Sequence, residues 1–468
     1  MTPTHTEGLF ADFGERIAAY SGGGSLTDGA GVTLSGQFHA VQLQNGDVVI
    51  VFETVRLTQA ILSGNVQSIS GTTTDGWTME SEGPFTPFEW GLGLGSSARV
   101  TLYARALLMH APQASSAPAT YRYGITNFEF TPTHQTEYKQ PNRWAIDHTS
   151  YRLSTGKGPI DVTVFELPSS RSTLRRIKRQ KSAAVTAEIR CPAWPVGELD
   201  AIANTLVRVL SIARGTKVEW LYRDRLDASG RVVEHYHEAR ITKPYSPFPP
   251  LDPASIAETK SFVEGGFSAY NERREAYRLD HITNAYIEAR IDSHYVEARG
   301  VLLAVALEGL KHALAEQQGK DGGWVVPEKK AKTLASDMAA AISAALAAKN
   351  IDPAIISHAT SRAPLKGLFR KTFRQLLHAL DDALGIKPLA GEELSFFIKS
   401  RDSLVHQGRF VRPLDGTTQG GSLPHNMVEE LLFDTYVLDH YFLALLNYRG
   451  AFHDVRTPTV AEPTAKIE

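Results

Sequence analysis

Residues 396–408 read FFIKSRDSLVHQG, and their spacing predicts an amphipathic helix that stops at Gly408. Leu394, Phe397, Ile398, Arg401 and Val405 recur on one helical face. Arg401 therefore interrupts an apolar stripe. A guanidinium turned toward packed neighbours is costly unless it is ion-paired or lines a wet cleft. Asp402 and His406 are four residues apart, close enough on the adjoining face to hydrogen-bond. With the stop at Gly408, His406 falls in the last turn, where the helix dipole favours positive charge.

Working outward, the surrounding third of the chain is patterned as helix. Leu303, Leu307, Leu310 and Leu314 form one stripe, and Leu365, Phe369, Phe373, Leu376, Leu380 and Leu384 form another. Residues 333–349 are alanine-rich, and a last helix begins near Asn426, with Glu429 three residues on as in a capping box. Such helices with short connections make a bundle. Five prolines between Lys243 and Pro253 mark its border.

Upstream of that border the pattern changes. Gln37–Leu43 and Val48–Arg56 read as strands joined across Asn45-Gly46-Asp47, a turn whose residues tolerate positive φ. Asp75-Gly76 suggests a second turn and Arg99–Met109 a further strand. Between these halves, Leu199, Ile202, Leu206, Val209, Leu210 and Ala213 have helical spacing up to Gly215, and 217–223 with 232–241 form a hairpin pattern across Asp227–Gly230. The expected architecture is α+β and multidomain. It comprises a β-rich N-terminal half over 1–165 (a candidate sensor), a mixed α/β connecting segment over 166–255, an all-α bundle over 256–455, and a flexible tail over 456–468.

The bulk numbers narrow the class. The 468 residues carry a net charge of −2, so any nucleic-acid contact must use a local patch. The single cysteine, Cys191, excludes internal disulfides and thiolate metal clusters and fits a reducing compartment. The N-terminus lacks a cationic start and apolar run, and the longest apolar stretch, 301–310, is far short of the ~20 residues a membrane span needs. A cytoplasmic protein that does not engage membranes is expected. P-loop, GxSxG and HExxH patterns are missing from the sequence. The basic run 171–181 (RSTLRRIKRQK) reads mainly as a solvated segment, with a phosphate contact as the sharper alternative. His235 and His237 share a strand face without enough further ligands for zinc. Arg273, Arg274 and Arg278 read as a solvated helical face, with a phosphate-binding strip as the alternative.

An arginine, a histidine and a supporting acid suit metal-free RNA cleavage. The ribose 2′-hydroxyl attacks phosphorus, one group takes its proton, another protonates the leaving 5′-oxygen, and a cation stabilises the phosphorane. Arginine presents a fixed fork to phosphate oxygens. One histidine per chain cannot serve both proton transfers, so two copies meeting in a symmetric pair would complete the set. The same Arg-x4-His spacing recurs at Arg105/His110 and Arg143/His148. The helical context and the inward direction of Arg401 single out the pair at 401 and 406.

Arg-Asp-x-x-x-His-x-Gly near the end of a helical bundle resembles the Arg-[Asn/Asp/His]-x(3–5)-His signature of HEPN ribonucleases. The longer layout, with Leu206–Trp220 and Tyr295–Leu314, resembles the ApeA-like group of bacterial anti-phage proteins. The resemblance implies a HEPN-like bundle with metal-independent endoribonuclease activity and no cofactor, homodimerisation through the helical half, and a role in abortive infection. Its partners would be RNA, transfer RNA among the candidates, and a phage-derived trigger held by the N-terminal half. Carried over by position, Arg401 would bind phosphate and His406 would transfer protons. Asp402 fills the polar slot. Apart from the resemblance, Glu308 stands beside the 303–314 stripe, where it either pairs with Arg401 across the bundle and supports it or is an ordinary boundary glutamate. The alternative is a catalytically inactive HEPN-fold module that binds RNA or protein, with an N-terminal ligand-binding domain.

Overall fold

The computed structural model describes residues 14–92, 98–112, 120–129, 135–139, 144–167, 170–246, 248–252, 255–292, 294–319, 322–389, 391–414, 423–456 and 460–461. The chain divides into two compact units, Met1–Ser268 with Arg290–Ser293, and Ala269–Ala289 with His294–Glu468.

The first unit is built on strands β1 (Arg16–Asp28), β2 (Thr33–Leu43), β3 (Val48–Thr54), β4 (Val66–Thr73), β5 (Thr78–Glu82), β6 (Phe85–Leu92), β7 (Ala98–Ala104), β8 (Ala106–His110), β9 (Thr120–Thr126), β10 (Gln135–Lys139), β11 (Trp144–Thr155), β12 (Gly158–Glu166), β13 (Val185–Cys191), β14 (Trp220–Leu226) and β15 (Val232–Glu238). Three helices are interspersed, α1 (Gln59–Leu62), α2 (Ser170–Gln180) and α3 (Val196–Arg214). The strands form one sheet in the order β10-β11-β12-β13-β9-β14-β15-β8-β5-β4-β1-β2-β3-β7-β6.

Local chemistry explains its turns. The β2–β3 hairpin closes at Gly46, whose φ of +94° suits glycine, while the Asn45 side chain accepts from the Asp47 N–H at 3.0 Å. Strand β3 is buried on both faces. Val48, Ile50 and Phe52 enter one apolar cluster, and Val49 and Val51 join Val41 and Leu43 in another. The α3 stripe from Leu199 to Ala213 is buried as its spacing predicts, and the helix ends at Gly215 with φ of +60°. The segment expected as one strand over Arg99–Met109 is two. β7 pairs with β3 and β6, whereas β8, beyond the exposed Arg105, pairs with β5 and β15. Continuous apolar alternation in sequence conceals such a switch of neighbours, because pairing is decided by distant strands. The three strands of the connecting segment are likewise interior to the sheet, with β13 between β12 and β9, and β14 and β15 between β9 and β8.

Helix α4 (Ile256–Arg273) contains the border between the units. The second unit is helical: α5 (Leu279–Glu288), α6 (Val296–Gln317), α7 (Glu328–Ala347), α8 (Pro353–Ala359), α9 (Arg362–Gly367), α10 (Phe373–Leu384), α11 (Gly391–Gln407) and α12 (Met427–Leu445). Leu303, Leu307, Leu310 and Leu314 of α6 are all buried, and α5, α10, α11 and α12 pack around that helix. The second sequence stripe does not form one helix. It breaks after α9, where Arg370 bridges Trp324, and restarts at a capping box formed by Thr372 and Gln375. Asn426 caps α12 by accepting from the Glu429 N–H at 2.9 Å. Much of the expected tail lies outside the described residues, though Val460–Ala461 pairs with Phe452–His453. Taken together, a large antiparallel sheet in the N-terminal half is followed by a helical C-terminal half. Among the described residues, no helix is long and apolar enough to cross a membrane.

Candidate functional site

Helix α11 carries the motif, and its buried side is Leu394, Phe396, Phe397, Ser400 and Leu404. Val405, expected on the packed stripe, is 43% exposed. The helix is therefore turned so that Arg401 lies at the edge of the core rather than in its middle. Gly408 ends the helix in the left-handed region, φ +66°, leaving His406 in the last turn.

Arg401 Nε donates to Glu308 Oε1 of α6 at 2.7 Å, and both terminal nitrogens are engaged, one by Glu308 and one by Asp402. Its guanidinium also lies 4.7 Å from the centroid of the Phe373 ring at the start of α10. Lys311, one turn along α6, pairs with Glu308 and sits over the same ring at 5.2 Å. Burial opposes ionisation of Glu308, but the Lys311 ammonium and the Arg401 guanidinium outweigh it and hold the carboxyl below its usual range. Two cations around one carboxylate and an aromatic face form an ordered cluster, flanked by the exposed Asp402 beside Arg401 and the exposed His312, 3.5 Å from Glu308.

Asp402 belongs to two neighbourhoods. Besides binding Arg401, it lines a groove of about 680 Å³ together with Lys399, His406, Arg409, Arg412 and Glu297. Lys399, Asp402, Ser403, His406 and Gln407 form the wall from α11, at helical spacing. The opposite wall is the loop 409–414. It is fastened by Ser403 Oγ to the Arg409 carbonyl at 2.7 Å, and by the fully buried Glu430, which accepts the Val411 and Arg412 N–H groups at 3.1 and 2.8 Å. His406 is exposed and has no hydrogen-bond partner among the described residues. The bond to Asp402 that the spacing allows is not formed, since Asp402 turns to the stronger charge of Arg401. Five residues apart, Arg401 and His406 differ by about 140° around the helix axis. Within one chain His406 faces the groove and Arg401 faces Glu308.

Gly300 of α6 lets this wall close. A Cβ there would meet Leu404 Cδ2 at 2.8 Å and the Phe410 ring closer still. Gly300→Val should therefore push Phe410 outward and destabilise the helical unit by ~1–3 kcal/mol. Chemical unfolding of the variant beside the parent checks this, and an unchanged midpoint would mean that the loop yields freely.

The other sequence candidates separate. His235 Nδ1 bonds Asp224 at 2.5 Å. His237 Nδ1 bonds Gln42 at 2.6 Å, and its Nε2 accepts from Tyr20 at 2.8 Å. Burial, with the neighbouring His235, pushes His237 down to about 3, so it is a neutral imidazole inside a satisfied network. Among the described residues, no group of three or more His, Cys, Asp or Glu side chains could hold a metal ion. Arg273 donates to the Leu445 carbonyl, Arg274 pairs with Asp280 at 2.7 Å, and Arg278 pairs with Glu316 at 2.9 Å, so these three do not make a free cationic strip. The groove cations Lys399, Arg409 and Arg412 escape a search built on Arg-x4-His. The signal for two of them, Arg409 and Arg412, is their position within four residues after Gly408. Glu430 carries no such sign, because a glutamate in a first helical turn usually faces water.

Compared with known proteins, the chain matches no family model, no curated protein and no solved structure.

Proposed function

We propose that the helical unit is a metal-independent endoribonuclease of the HEPN type and acts in anti-phage defence. The observation that carries this is an exposed imidazole without a partner among the described residues, at the end of α11, in a groove with three cations and next to the cluster that holds an ordered arginine. A nucleotide fits a groove of about 680 Å³. Lys399, Arg409 and Arg412 suit the phosphates on either side of the scissile one.

In this reading His406 takes the proton of the ribose 2′-hydroxyl or gives one to the departing 5′-oxygen. The 2′-oxygen forms a bond to phosphorus as the bond to the 5′-oxygen breaks, leaving a 2′,3′-cyclic phosphate and a 5′-hydroxyl. Arg401 reaches the phosphate by exchanging Asp402, the partner it shares with the groove, for a phosphoryl oxygen. Glu308 keeps the guanidinium oriented during that exchange. A second imidazole is needed for the other proton transfer, and a second copy of the chain supplies it, so the active species is a homodimer. The N-terminal unit would then receive the trigger, and the protein would work in the cytoplasm, where its RNA substrates are.

The test is to incubate the full chain with RNA in excess EDTA and to analyse the product ends. Cleavage with cyclic phosphate termini supports the reading. Binding without cleavage would leave an inactive RNA-binding module, and cleavage that stops on chelation would point to other chemistry.

A further inference from the structure

The basic run 171–181 folds as α2, and its two faces are sharply different. Leu174 and Ile177 are buried against Ala184 and Tyr245, fixing the helix to the sheet. The helix has five cations and no acid. Three of the five are already matched: Arg171 by Glu166, Arg176 by Glu15 and Lys178 by Glu129. Arg175 and Arg179, and Lys181 just beyond the helix, are exposed and have no partner among the described residues.

Arg171, Arg175 and Arg179 recur every fourth residue, so they stand in one row with about 6 Å between neighbours. In that row Arg171 is shared with Glu166, while Arg175 and Arg179 have no partner among the described residues, and cations so spaced suit a partner with regularly repeated negative charge. Isolated surface cations meet that demand poorly, because solvent already satisfies them. Beside the end of the helix lies a cavity of about 370 Å³, lined by Gln180, Ser182, Gln44, Asn45 and Lys243 among others. The Gln180 amide and the Ser182 hydroxyl make no side-chain hydrogen bond among the described residues, so both can meet the edge of a base. An unmodified protein chain would not offer evenly spaced phosphates. We infer that α2 and this cavity form an RNA-binding surface on the first unit, with the phosphodiester backbone running along Arg171, Arg175 and Arg179 and an unpaired base entering the cavity. This rests on the ribonuclease reading only for the choice of RNA among polyanions. It adds a binding site outside the motif-bearing unit. No stacking aromatic is interleaved in the run, so recognition is through backbone charge and is tolerant of sequence.

The test uses the full chain carrying His406→Ala, so that RNA stays intact, and follows a fluorescein-labelled single-stranded RNA by anisotropy. Replacing Arg175 and Arg179 together by glutamine should weaken binding about ten-fold and flatten the salt dependence of log K by about 1.4, each lost single-strand contact removing ~0.7. Arg175→Glu with Arg179→Glu should weaken it further. All these side chains are exposed, so the thermal midpoint should stay constant, and circular dichroism reports it. Unchanged affinity and slope would overturn the inference, as would displacement of the RNA by polyglutamate at equal charge concentration. Cleavage is assayed separately with His406 intact. A chain that cleaves but ignores the α2 substitutions disproves this surface alone, and one that needs α2 for binding yet never cleaves disproves the nuclease alone.

Discussion

His406→Ala should lower the rate of RNA cleavage by about 10²–10⁴-fold, the usual worth of a positioned proton-transfer group. The fold should not change, since the imidazole is exposed, has no partner among the described residues, and Gly408 sets the helix end without it. Arg401→Lys should fall in the same range for a different reason. A lysine can keep an ion pair with Glu308, but its single ammonium cannot bind Glu308 and a phosphoryl oxygen through separate nitrogens of one rigid fork. Arg401→Ala is the less clean experiment, because it also leaves Glu308 with Lys311 as its remaining strong counter-charge. The two effects should not add. Groups that serve one transition state fail together, and the double variant should resemble either single one. Equal RNA breakdown by parent and His406→Ala would remove the imidazole from the mechanism. An additive double variant would mean that the two residues act in separate steps.

Asp434→Asn should weaken the pH dependence of stability in the helical unit. Asp434 is buried in α12, accepts from Ser400 Oγ at 2.8 Å, and its second oxygen has no partner among the described residues. Burial, seconded by the charge of Glu430, pushes its carboxyl well above the ordinary 3.8, against the pull of the Ser400 bond. The folded state therefore holds a proton that the unfolded chain releases. That stability is fully present below 3.8. It is lost as pH rises through the raised value, at up to about 1.4 kcal/mol per pH unit. Asp381 contributes in the same direction up to about 6, raised by burial despite its bonds to Tyr441 and His378. Asparagine keeps an acceptor toward Ser400 and cannot ionise. The variant's unfolding free energy should therefore fall less steeply than the parent's as pH rises above 3.8, the remaining slope up to about 6 being that of Asp381. Its amide lacks an acceptor on the other side, so the variant starts lower in acid, and the two curves converge or cross as pH rises. Urea unfolding across the pH range checks this, and parallel curves would show that Asp434 does not carry the dependence. Since Ser400 adjoins Arg401 in sequence, the same measurement bears on how firmly α11 is seated.

Several elements could be read residue by residue. The hairpin at Asn45-Gly46, the end of α3 at Gly215, the stop at Gly408 and the Asn426 cap each depend on neighbours within about four positions, and the structure has all four. The change from β to helical pattern was equally plain, because periods of 2 and 3.6 cannot be satisfied by one backbone. The failures have a common cause. The Arg99–Met109 run looked uniform, yet its halves pair with different strands, and the 365–384 stripe broke where Arg370 met Trp324. Val405 looked apolar enough to be packed and faces solvent.

By itself the sequence determined the turns, the helix ends, the order of β-rich before helical, and the presence of a polar motif on a largely apolar helix, since these follow from dihedral preference and short-range periodicity. Only the tertiary structure decided the sheet order, the choice between Glu308 as the partner of Arg401 and Glu308 as an ordinary boundary residue, and the groove closed by Glu430 and Gly300. Those features arise from which surfaces meet in space, and the free energy of that choice is spread over contacts that no local window of the chain contains.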